Sequence, residues 1–191
     1  MLKKILLVLL IVLIVIQFIK PQKNIHAGPE PADISTLYSV PADVDSLLVI
    51  ACKDCHSNNT RYPWYNNFQP VAWFLANHVK DGTRSFNLNE FATYPVARQY
   101  DKIGEIKKQI DKGDMPLSSY TIIHRDAKLT DAEKKVIISW SENIRKEMEA
   151  KYPKDSLIRK KKVVPSGAVN TKRVVRQAWT PSLVQVYNKF H

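Results

Sequence analysis

Both cysteines of this 191-residue chain fall in one stretch, Cys52-Lys53-Asp54-Cys55-His56. The spacing has the C-x-x-C-H form by which a c-type haem is attached covalently. Two thiols three residues apart project from the same side of one helical turn, so both reach the vinyl edge of a single porphyrin, and the histidine that follows lies under its iron. As a neutral imidazole His56 is a natural proximal ligand, provided that its other ring nitrogen donates to a carbonyl or carboxylate. The sequence does not identify that acceptor. Two cysteines and five histidines placed at random produce the pattern about 3 times in 10,000, so the chain is read around one haem c. Two other readings stay open. A dithiol redox pair would sit between a strand and a helix in a βαβ pattern, and no such pattern surrounds Cys52. Half of a zinc site would need a distant lone histidine, since there is no second cysteine pair.

Residues 1–20 read as a signal or anchor segment: Lys3 and Lys4, an apolar run from Ile5 to Ile16, then Phe18 and Ile19 before Lys20-Pro21. The run fits a signal-peptide core and is short of the ~20 residues that span a bilayer, although Gln17 and the flanking lysines suit its interfaces. Ile25-His26-Ala27 matches a cleavage site only loosely, so the expectation is an uncleaved transmembrane anchor, with secretion to the periplasm if it is cut. The two lysines place that end in the cytoplasm and the body on the periplasmic side of a bacterial inner membrane, where unused thiols oxidise and attachment to haem removes that liability.

Residues 21–40 form a linker rich in Pro and Gly, and the folded domain is expected over 41–150. Pro41, Asp43 and Asp45 open a helix whose Val44, Leu47, Leu48 and Ala51 recur at helical spacing and run into Cys52. After a polar turn come Tyr62-Pro63-Trp64-Tyr65 and Phe68, rings that serve equally as a haem wall, with Trp64 the candidate contact, or as core filling. Pro70 opens a second helix through Phe74, Leu75, His78 and Val79, with a stop expected at Asp81-Gly82. His78 faces the inward side; it reads first as a hydrogen-bonded boundary residue and second as an alternative distal ligand. A third helix over 97–112 carries Ile103, Ile106 and Ile110 and stops at Gly113.

Asp114-Met115-Pro116 follows that stop. A thioether is a soft ligand for haem iron, and His/Met ligation raises the reduction potential toward that of electron carriers. Pro116 keeps the segment out of a helix, so Met115 is the candidate distal ligand, against a plainer role as core filler. His124 lies in a connector and is read as bonding a loop. Thr130 and Glu133 form a capping box before a helix with Val136, Ile137, Trp140, Ile144 and Met148 on one face.

Taken together, Cys52 to Ser57, Tyr62-Pro63-Trp64-Tyr65, Pro70-Val71-Ala72-Trp73, Asp114-Met115-Pro116, Tyr120, His124, Ala127, Leu129-Thr130 and Glu133 resemble the bacterial haem-binding domain family, a c-type cytochrome variant, over about residues 40 to 150. The resemblance implies an all-α, small cytochrome c-like domain around one covalent haem, with Cys52 and Cys55 as attachment sites, His56 as proximal and Met115 as distal ligand. Members often carry a second proline after Met-Pro, where this chain has Leu117.

The net charge of +11 is uneven: residues 151–191 hold ten Lys or Arg against Asp155, a net of +9, and the first 150 hold 19 against 17, a net of +2. This basic tail is expected to be flexible and solvated, with contact to anionic lipid or an acidic redox partner as the functional alternative; nucleic acid is not expected across a membrane. The function expected is one-electron outer-sphere transfer by a mono-haem carrier that is not an enzyme. A haem-based sensor or peroxidase-like enzyme with a displaceable sixth ligand, and a haem-free thiol oxidoreductase, are the alternatives.

Overall fold

Thr130 starts the longest helix. Its Oγ1 accepts from Glu133 N–H at 3.3 Å, while the Glu133 carboxylate accepts from Thr130 N–H at 2.7 Å, so two donors without helical partners are satisfied reciprocally. The computed structural model describes residues 1–159, and all regular structure there is helical: α1 (Leu2–Ile16), α2 (Ala42–Ala51), α3 (Lys53–His56), α4 (Val71–Ser85), α5 (Val96–Lys112), α6 (Ser118–Thr121), α7 (Asp131–Lys151) and α8 (Lys154–Leu157), with 3-10 turns between them.

The capped helix α7 buries Ile137, Trp140, Ile144 and Met148 in a core shared with Ile103 and Ile110 of α5 and with Val44, Leu47 and Leu48 of α2. Met148 thus fills core, as its apolar spacing requires. Trp140 Nε1 donates to the Ser39 carbonyl at 2.9 Å, so the one polar atom of that ring is satisfied. The core also takes in Ile34 and Tyr38. Ile34 sits in a 3-10 turn capped by Asp33, whose carboxylate accepts from Ser35 N–H at 2.8 Å, and its own N–H donates to the Leu88 carbonyl. The folded body therefore reaches back beyond Pro41.

Residues 17–30 are fastened to the body along their length. Asn24 N–H donates to Tyr62 Oη at 2.6 Å, its amide donates to the Ser57 carbonyl and Thr60 Oγ1 at 2.9 and 3.0 Å, and His26 N–H donates to Asn59 Oδ1 at 2.9 Å. At the other end Leu157 is buried and Arg159 pairs with Asp101 of α5 at 2.9 Å, so the first residues of the basic segment pack on the domain. The lysines and aromatic residues of that segment beyond Arg159 lie outside the described residues.

Two expectations are corrected. α1 is apolar, as the run predicts, but it is 15 residues long, about 22 Å at the helical rise. Among the described residues no helix is long and apolar enough to cross a membrane: Gln17, Phe18 and Ile19 turn out of the helix, and the spanning transmembrane anchor is not borne out. The second helix does not stop at Asp81-Gly82 but continues to Ser85. Gly82 serves close packing instead of termination, as the site shows.

Candidate functional site

α2 delivers the chain into the motif. Cys52 N–H still donates to the Leu48 carbonyl at 2.9 Å, closing α2; the backbone then departs from helical angles at Cys52, and Cys55 and His56 both donate back to the Cys52 carbonyl at 3.1 and 2.9 Å. That one-turn restart, α3, brings both half-buried thiols to a cleft of about 180 Å³, which His56, His78, Met115 and Tyr120 also line. The residues expected to attach haem and ligate its iron are thus brought together, with both candidate distal ligands present.

Gly82 lets this happen. A Cβ there would lie 2.4 Å from the Cys55 carbonyl oxygen, well inside contact distance, so only glycine allows α4 to lie directly on the motif turn. The helix keeps its intrinsic cost of a mid-helix glycine, about 1 kcal/mol relative to alanine, in exchange for that approach.

His56 Nδ1 lies 2.8 Å from the Phe86 carbonyl. A carbonyl only accepts, so Nδ1 carries the proton and Nε2 keeps its lone pair. This is the acceptor the sequence left unidentified, and Phe86 is itself positioned by Leu88, whose N–H donates to the His56 carbonyl at 2.8 Å. Burial pushes the His56 pKa below the ordinary histidine value, opposed by the Phe86 and Gly82 carbonyls. The ring is held neutral, the state that binds metal. Burial pushes the Cys52 thiol up to about 12, with Cys55 adding to the rise, and the Cys55 thiol up to about 11, with Asp54 adding. Reactive dithiols have the opposite shift, a lowered pKa that exposes a thiolate.

Asp54, between the two cysteines, is buried and fully engaged. Its carboxylate accepts from Arg61 Nε at 3.0 Å, Arg61 N–H at 3.1 Å and Tyr120 Oη at 2.6 Å. Burial and the Asp54 carboxylate both raise the Tyr120 pKa, so the phenol stays a donor. Its ring stacks on His124 at 4.3 Å, and His124 Nε2 shares a hydrogen bond with Tyr65 Oη at 2.7 Å. Since Tyr120 lies five residues after Met115, this bond ties the methionine segment to the motif. Met115 itself follows Gly113, whose left-handed φ of 73° ends α5, and its N–H donates to the Gln109 carbonyl at 3.3 Å.

His78 Nδ1 donates to the Phe74 carbonyl at 2.9 Å, the back-bonded boundary role read from its position. Trp64 is not at the site. Its ring is 75 % exposed, packs edge-on against Tyr65 and Phe68 at the surface, and does not line the cleft, because the 3-10 turn over Trp64–Asn67 turns it outward. Among the described residues no three of His, Cys, Asp or Glu converge as a metal-ion site. Asp54 and the Phe86 carbonyl have no role in the sequence reading, and Gly82 has only that of a helix stop. Gly82 had a signal, a glycine inside a helical pattern; Asp54 had one in Arg61 seven residues on; a backbone carbonyl has none.

A covalently held porphyrin fits this donor set: two thiols on one turn, one imidazole with a fixed tautomer, and one thioether on a neighbouring segment. Residues 11–143 match the family described as haem-binding domain. No curated protein and no solved structure matches the chain.

Proposed function

The chain belongs to the haem-binding domain family, and from that premise we propose that it is a mono-haem c-type carrier of single electrons rather than an enzyme, acting on the periplasmic side of the inner membrane. One observation carries the reading: Cys52, Cys55, His56 and Met115 line a single cleft, with the His56 Nδ1 proton already committed to the Phe86 carbonyl. Cys52 and Cys55 would hold haem c by adding S–H across its two vinyl groups, which forms C–S and C–H bonds and releases nothing. When bound, the haem supplies one reversible electron at iron. His56 Nε2 and the Met115 sulfur, both uncharged donors, would hold that iron, and the thioether would raise its potential. A redox partner protein docks where an edge of the ring meets solvent. The N-terminal segment directs the body across the membrane, and α1, too short to span, remains partly inserted in lipid.

A sensor or peroxidase-like reading has one observation in its favour: Met115 sits in a loop and shares the cleft with His78, so its place is exchangeable. A haem-free thiol oxidoreductase is opposed by the raised thiol pKa values. The test is a pyridine haemochrome assay on protein matured outside the cytoplasm, followed by carbon monoxide titration of the ferrous form. One covalent haem per chain and no carbon monoxide binding is expected. Colourless protein would overturn the haem reading, and ready carbon monoxide binding would favour the sensor.

A further inference from the structure

Trp64, Phe68, Phe74, Ile122 and Ile123 each leave more than half of their surface to solvent. Contacts gather them in one region. The Trp64 ring packs on Tyr65 and Phe68 at 5.9 and 6.0 Å, and Tyr65 bonds His124, the residue after Ile123. Phe68 leads into α4, where Phe74 lies on His78 at 4.2 Å. His78 and Tyr120 line the cleft, so this apolar region forms one of its rims. Scattered exposed apolar residues are ordinary, but a contiguous aromatic group marks an interaction surface.

α1 indicates what covers it. None of its residues is buried, and from Ile5 to Ile16 it is apolar on every side, so it has no polar face to turn to water. It is rooted at the same region without slack: Gln17, the residue after α1, donates to the Gln69 carbonyl at 3.2 Å and accepts from Gln69 N–H at 2.9 Å. Lys20 Nζ donates to the Asn67 carbonyl at 2.9 Å and Trp73 Nε1 to the Ile19 carbonyl at 3.1 Å. Phe68 lies between these anchor points. The apolar stretch of α1, Ile5 to Ile16, about 18 Å long, reaches only part of the way through a hydrocarbon layer of roughly 30 Å, so the body fastened to its end is drawn into the headgroup zone. Trp, Phe and the stem of Lys20 suit that zone.

We propose that Trp64, Phe68, Phe74, Ile122 and Ile123 form a bilayer-contacting surface, which turns this rim of the cleft toward the membrane. The proposal rests on the reading that the N-terminal segment remains in lipid. The test uses the full haem-loaded chain in phosphatidylethanolamine and phosphatidylglycerol vesicles that carry a lipid with a diazirine near its headgroup. Adducts are mapped by mass spectrometry after illumination. Adducts are expected on α1, on residues 64–74 and on 122–123, several-fold above those on the α5–α7 face around Lys107 and Glu142. Ile122→Asp with Ile123→Asp should lower labelling of 64–74 several-fold and leave α1 labelling and the haem spectrum unchanged. Adducts on α1 with 64–74 and 122–123 no higher than the α5–α7 face would overturn the proposal alone. Absence from α1 as well would overturn it together with the insertion reading.

Discussion

The two sides of the cleft are built differently. On the histidine side, the thiols and imidazole stand on a turn continuous with α2, a helix with Val44, Leu47 and Leu48 in the core; α4 lies directly on that turn through Gly82, and the His56 ring is fixed by a backbone carbonyl. On the methionine side, Met115 stands in a loop between α5 and the single turn of α6, tied across the cleft by the Tyr120–Asp54 bond. The first arrangement leaves its ligand one position. The second holds its ligand through the Met115 N–H on the Gln109 carbonyl and through the Tyr120–Asp54 bond with its stacked ring. A six-coordinate carrier needs the second side closed; a sensor needs it to open.

Substitutions graded by effect test that asymmetry. The largest is expected at the rigid side. His56→Ala, or Cys52→Ala with Cys55→Ala, should abolish covalent haem in a pyridine haemochrome assay, whereas substitutions on the methionine side should retain it. Next is Gly82→Ala, whose Cβ meets backbone rather than a flexible side chain at 2.4 Å; a cost of about 1–3 kcal/mol in denaturant unfolding is expected, with reduced haem incorporation. Met115→Ala should keep the haem, lose the weak sulfur-to-iron charge-transfer band, lower the potential and admit carbon monoxide, while His78→Ala leaves the band in place. The reverse pattern would move the distal ligand to His78. Tyr120→Phe takes from Asp54 Oδ2 its 2.6 Å donor and leaves it the Arg61 guanidinium at 3.2 Å, and about 1–2 kcal/mol of destabilisation is expected, together with a charge-transfer band lost at a lower temperature than in the parent. Should Tyr120→Phe leave both unchanged, the methionine side is held by something other than this bond. The smallest effect is far from the cleft: Thr130→Ala should cost about 1 kcal/mol. Glu133, held below its ordinary value by Thr130, is charged above that range and protonates as pH falls through its lowered pKa, so the cap's contribution is present at neutral pH and is lost in strong acid.

The asymmetry also separates what could be read in the sequence from what could not. The attachment turn, the capped helix α7, the Gly113 stop and the core role of Met148 are local events, carried by residue types at fixed spacing. The Phe86 carbonyl under His56 and the Tyr120–Asp54 bond join segments 30 and 66 positions apart, and neither leaves a periodic trace. Glycine ends helices more often than it admits a neighbour, so in the sequence Gly82 looks like a stop; the competing demand comes from Cys55, 27 positions earlier. In the sequence an aromatic residue near a haem motif, such as Trp64, looks alike whether it faces in or out. Its outward turn follows from a 3-10 geometry that propensity does not specify.

The strap of residues 17–30 bears on how the protein is matured. The loose cleavage-site match at Ile25-His26-Ala27 lies beside Asn24, whose bonds to Ser57, Thr60 and Tyr62 belong to the folded body. A peptidase needs that segment extended and unbonded, so any processing there has to precede folding. A chain that folds first holds residues 17–30 as a structural part. If the segment directs export, as proposed, export and architecture share it, and the order of cutting and folding decides which form of the protein a cell holds.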